Sequence, residues 1–167
     1  MPFTPFHWGP GLLIGLLVFP LLDLPCFLIA SVVVDIEPLV LMMQPTPVLH
    51  AFFHTYLGAT LAGLAIIPVV YFLHDLLERL MRLFGLQQDK SLSRIAAAAL
   101  LGTNFHVLLD SFLYPEMQPF FPFLGNTLLG LFTYSQVYLF CFVAFFGAIP
   151  LYVFHVWRTR KRRQMKT

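Results

Sequence analysis

Apolar residues run in long blocks along this chain, punctuated by short knots of ionisable side chains. The first block, from about His7 to Phe19, stops at Pro20. Asp23-Leu24-Pro25 then reads as a helix start, with Asp23 capping and Pro25 in the first turn. A second block, Cys26 to Val34, closes in Asp35-Ile36-Glu37-Pro38. At about 1.5 Å per residue both blocks fall short of a bilayer core of roughly 30 Å. The pattern therefore predicts a short, partly buried N-terminal hairpin rather than two full spans. Leu41 to Val48, with Pro45 and Pro47, reads as a loop.

Three longer blocks follow. Leu49 to about Leu73 predicts a spanning helix, with Gly58, Gly63 and Ala65 for close approach of a neighbour and Pro68 as a kink. Asp75 to Arg94 carries its apolar residues on one side, as an interfacial amphipathic stretch does, with Gly85 ending the helix. Ile95 to about Leu113 predicts a second span, Tyr114 to Asn126 an aromatic, proline-rich surface loop, and Thr127 to about Trp157 a third span. The expected fold is all-α: a polytopic membrane bundle of three long spanning helices plus the hairpin. Residues 1–157 form one membrane domain and 158–167 a basic cytoplasmic tail.

Composition agrees. Of 167 residues, 59% are hydrophobic and only 11% charged, against about 25% charged in a soluble domain. Such a chain cannot clothe itself in a water-compatible surface. Cys26 and Cys141 sit inside apolar runs and read as small hydrophobes. The N-terminus lacks the positive region of a secretory signal, so the first block is expected to be retained. Every Lys and Arg falls between Arg79 and Arg94 or from Arg158 onward. Both segments should face the cytoplasm of a multi-pass cell-membrane protein. The terminal basic run then reads as an anchor near anionic lipid rather than a nucleic-acid site.

That orientation sets the candidate chemistry. His50 and His54, four residues apart, would share one helix face, and so would His106 and Asp110. All four fall at the outer ends of their helices, and His7 and Asp35-Glu37 fall at the open ends of the hairpin. Ionisable groups at membrane depth are costly and default to a functional reading. His7, Asp35, Glu37, His50, His54, His106 and Asp110 together suit a divalent transition metal: zinc first, manganese or iron next, as one ion or two. Glu37, then Asp35, are the candidates for the spare carboxylate that serves as general base. Thr55 and Ser111 either bond these carboxylates or their own helix backbones. Asn104 and Tyr114 are candidate substrate contacts, and Phe120, Phe121 and Phe123 a candidate roof. His74 and His155, at the opposite end, read as interfacial residues.

His7, Asp35-Ile36-Glu37, His50-Ala51-Phe52-Phe53-His54-Thr55 and His106-Val107-Leu108-Leu109-Asp110-Ser111, taken in order, resemble the membrane-bound metal-dependent hydrolases of bacteria and archaea, which include a LexA-regulated inner-membrane branch. The run Asp110-Ser111-Phe112-Leu113-Tyr114-Pro115 is similar to the segment after that family's last His-xxx-Asp. The resemblance implies a helical membrane hydrolase with these residues around a metal.

The resulting expectation is a metal-dependent hydrolase cleaving an ester or phosphoester of an amphiphilic substrate at the outer membrane interface, using water activated by the metal. A non-enzymatic metal-binding or metal-transport protein is the alternative. A haem protein with His54 and His106 as axial ligands would leave His50 and Asp110 idle. The lipid bilayer is the expected partner, and the sequence leaves oligomeric state open. No glycine-rich phosphate loop, nucleophile elbow or Cys-x-x-Cys zinc spacing is present.

Overall fold

The computed structural model describes residues 4–45 and 48–164. Among these the chain is helical and loop only, with no strand. After a 3-10 turn at Thr4–His7 come α1 (Trp8–Leu17), α2 (Leu24–Val33) and α3 (Ile36–Leu41). The 3-10 turn Phe52–His54 then precedes α4 (Tyr56–Leu83), α5 (Leu92–Ser111) and α6 (Tyr134–Gln164).

Local chemistry fixes most boundaries. The Asp23 carboxylate accepts from Cys26 N at 3.0 Å and Pro25 occupies the first turn, so α2 starts as expected. The Thr55 hydroxyl accepts from Gly58 N at 2.9 Å and caps α4. Gly85, at φ 73°, follows the end of α4 in a conformation that a Cβ would strain. Thr133 and Gln136 bond each other's backbone N–H groups at 3.3 and 2.9 Å, a capping box at the start of α6.

Four stretches are long and apolar enough to cross a membrane: Leu24–Leu41, Tyr56–Leu83, Leu92–Ser111 and Tyr134–Lys161. Large apolar side chains such as Leu64, Phe72, Phe142 and Phe146 face outward from them, a surface suited to lipid. The chain is a membrane protein. The second block thus exceeds its expected length, because α3 prolongs α2 past Asp35 into an 18-residue stretch. Two further revisions concern the long helices. Asp75 to Leu83 continues α4 without a break rather than forming a separate interfacial helix. The basic segment from Arg158 likewise continues α6 to Gln164. Within the expected proline loop and basic tail, Thr46, Pro47 and residues 165–167 lie outside the described residues, as do Met1, Pro2 and Phe3.

Helix α5 is the centre of the bundle, packed between α2 and α4, while α1 joins α2 to α6. Gly102 lets α5 meet α2 closely: a Cβ there would stand 2.6 Å from Ala30 Cβ and 3.0 Å from Phe27 O. Contacts at the helix ends show alternating directions. Tyr134 OH donates to Leu113 O, and Phe6 packs edge-on to Tyr138, so the start of α6, the end of α5 and the start of α1 share one end. Tyr152 OH donates to Phe84 O and His155 Nε2 bonds Leu16 O at the other. That second end also carries the Lys and Arg clusters.

Candidate metal centre

The ends of α2 and α5 and the starts of α1 and α4 bring six of the seven candidate donors to one buried level. Asp35, His54, His106 and Asp110 each offer a ligand atom, and these four atoms lie within 4.8 Å of one another. His106 Nε2 stands 3.3 Å from both Asp35 Oδ1 and Asp110 Oδ2. His54 Nε2 stands 3.8 Å from the same two oxygens. Ligands at 2.0–2.2 Å from a tetrahedral ion are about 3.4 Å apart, so the four histidine–carboxylate pairs have nearly that spacing already.

The imidazoles are held from behind. His106 Nδ1 donates to the Ser31 carbonyl at 2.8 Å, and an acceptor-only partner fixes the proton on Nδ1. His54 Nδ1 donates to Glu37 Oε2 at 2.9 Å, and His50 Nδ1 to Glu116 Oε1 at 2.7 Å. A ring held this way, once neutral, presents the Nε2 lone pair forward. The Nε2 atoms of His54 and His106 are buried without a hydrogen-bond partner and face carboxylates. Lone pairs opposed to carboxylate oxygens in a buried site repel unless a proton or a metal ion lies between them. Asp110 adds to that demand, since it stands in the last turn of α5, where the helix dipole disfavours negative charge. The donor set fits a divalent metal ion.

His7 and His50 flank this set. His7 Nε2 is 3.3 Å from Asp110 Oδ1, and its ring stacks on His106 with centroids 4.1 Å apart. Burial, more than the neighbouring His106, lowers the His7 pKa, so the ring is a neutral donor. His50 Nε2 is 4.0 Å from Asp110 Oδ2, and burial lowers its pKa too.

Glu37 stands behind the site instead of in it. Its oxygens accept from His54 Nδ1 and from the backbone N–H groups of Ala51 and Phe53, at 2.9, 3.1 and 2.9 Å. All three bonds position the His54 turn, and Glu37 is not among the four residues that converge. His50 and His54 also do not share an α-helical face. Phe52–His54 is a 3-10 turn, and α4 begins only at Tyr56 because Thr55 caps it. The two histidines converge through the turn and the Glu37 clasp.

Other candidates resolve to packing. Ser111 Oγ donates to Val107 O at 2.6 Å and Thr55 Oγ1 to Phe52 O at 2.8 Å, each within its local backbone. Asn104 bonds Thr60 and Leu100 O. Phe120 and Phe121 pack on Tyr56 and Phe52, whereas Phe123 is largely exposed and roofs nothing. His74 is buried within the protein, with Nε2 3.3 Å from Asp23 Oδ2. Two groups were not foreseen. Glu116, which holds His50, had one signal: it is the sole charged residue between Tyr114 and Asn126. The Ser31 carbonyl had none.

No family model, curated protein or solved structure matches the chain.

Proposed function

We propose that this chain is a membrane-embedded metal-dependent hydrolase acting on an ester or phosphoester of an amphiphilic substrate. One observation carries the reading. Three imidazoles are each tied at Nδ1 by an acceptor from Ser31, Glu37 or Glu116, and each turns Nε2 towards Asp110. That is the arrangement by which outer hydrogen bonds orient metal-binding histidines.

Asp35, His54, His106 and Asp110 would hold a divalent transition ion, with zinc the first choice for two imidazoles and two carboxylates. When bound, such an ion polarises a carbonyl or phosphoryl oxygen and acidifies water. The protein's own part is to fix the four donors, keep His54 and His106 in the Nδ1–H tautomer, and wall the site with α2, α4 and α5. His7 and His50 are the nearest groups left to accept a proton or to hold the substrate. The resemblance of the His-xxx-His and His-xxx-Asp segments to membrane-bound metal-dependent hydrolases supports the same reading.

The donors gather at one end of the bundle. Val70, Ala99, Ile95 and Phe27 fill the core between them and His74, which suits a closed reaction site better than an ion path. The test uses the full chain in detergent, loaded with zinc, manganese or iron and mixed with phospholipid, with products followed by mass spectrometry. Metal-dependent cleavage that disappears in Asp110→Asn supports the proposal. Metal flux into proteoliposomes without cleavage would replace it with transport.

A further inference from the structure

A cavity of about 300 Å³ opens beside the metal centre and shares His50 with it. His50 bridges the two spaces: Nε2 faces Asp110 Oδ2 at 4.0 Å, and Nδ1 donates to Glu116 in the cavity wall. Phe52 and Phe121 line the same cavity, with ring centroids 6.3 Å apart and planes at 82°, as two sides of a corner. Both rings are only partly covered, at 41% and 43% exposure.

The charge in this cavity is one-sided. Glu116 has a partly exposed carboxylate, and His50 is its sole ion-pair partner among the described residues. Every Lys and Arg lies between Arg79 and Arg94 or from Arg158 onward, segments that belong to the opposite end of the bundle. A carboxylate beside aromatic faces, with no competing cation, attracts an ammonium group through charge and cation–π contact together. An anionic head would meet Glu116 with no Lys or Arg to offset the repulsion.

We propose that this cavity is the subsite for the ammonium group of a zwitterionic lipid head, next to the bond addressed by the metal centre. The proposal rests on the hydrolase reading above and narrows its substrate class to amphiphiles carrying a cation beyond the ester or phosphoester. Glu116 supplies the counter-charge, Phe52 and Phe121 supply the walls, and the acyl part stays in the lipid outside.

The test is binding, so it is independent of turnover. Zinc-loaded full-length protein in a non-ionic detergent is titrated with hexylphosphocholine and with hexylphosphoglycerol, which share the chain and phosphodiester and differ in the terminal group. The wild type should prefer hexylphosphocholine by about tenfold or more, the scale of one desolvated charge-assisted cation–π contact. Glu116→Gln keeps an acceptor for His50 and should erase most of that preference. Phe121→Ala should reduce it in the same direction. Equal binding of both probes by the wild type overturns the subsite, as does a Glu116→Gln variant that keeps the preference or weakens both probes alike. A protein that shows the preference yet lacks metal would sink the hydrolase reading alone.

Discussion

His54 Nδ1 lies 2.9 Å from Glu37 Oε2, and the same carboxylate grips the backbone N–H groups of Ala51 and Phe53 on either side of the 3-10 turn. One acidic side chain from α3 thus sets both the position and the tautomer of an imidazole that belongs to no α-helix. Glu37→Gln should weaken metal binding by about 10- to 100-fold, the usual loss for an orienting partner, with helicity unchanged. Metal titration followed by circular dichroism checks this. Unaltered affinity would return Glu37 to a merely structural place.

Gly102 is the point where α5 approaches α2, and His106 and Asp110 are the next turns of α5. Gly102→Ala drives a methyl against Ala30 Cβ and Phe27 O, which should destabilise the protein by roughly 1–3 kcal/mol. It should also lower metal affinity by prising His106 away from Asp35. Thermal unfolding with and without metal separates the two effects, and the metal-dependent gain in Tm should shrink in the variant.

Proton competition gives a signed pH dependence. Burial works against charging His54, but the Asp35 and Glu37 carboxylates outweigh it and hold the ring's pKa above its ordinary 6.5. In the metal-free protein a proton therefore persists at His54 to higher pH than on a free imidazole, and it must leave before a metal ion can bind. Apparent metal affinity should rise as pH is raised from about 6 to about 8, with net proton release on binding. Calorimetry in buffers of different ionisation enthalpy reads that release directly. A flat affinity would contradict the assignment of His54 as a ligand.

His74 and Asp23 form a buried pair at the far end of the bundle, 3.3 Å apart. His74→Ala leaves the Asp23 carboxylate buried without that partner, a change that costs about 1–3 kcal/mol for a buried polar group. The variant should unfold at lower temperature yet, while folded, bind metal as the wild type does. Loss of metal with unchanged stability would link the two ends in a way the packing does not suggest.

The sequence showed the helices well because their signals are local. Asp23 and Pro25 announce α2, Gly85 ends α4, and apolar length marks the spans. It misplaced two features whose causes are not local. The spacing of His50 and His54 looks helical, but Thr55 begins α4 only after them, and a carboxylate from another element holds the turn. The short second block gains its length from α3, which resumes just after Asp35. Of the site, the donor types and their order along the chain were legible. The division of labour among them was not, because whether a carboxylate faces Nε2 or Nδ1 is decided by three-dimensional packing. The pairing of His74 with Asp23 was hidden for the same reason, since it depends on the α2–α4 contact.

The most direct measurement is the metal content of purified full-length protein, by elemental mass spectrometry, for the wild type, His106→Ala and Asp110→Asn after loading and removal of excess ion. Convergence of Asp35, His54, His106 and Asp110 on one cation predicts at least one tightly held divalent ion per wild-type chain and close to none in either variant, with helicity preserved in all three. A wild type that retains no ion, or variants that retain as much as it does, would contradict the metal centre.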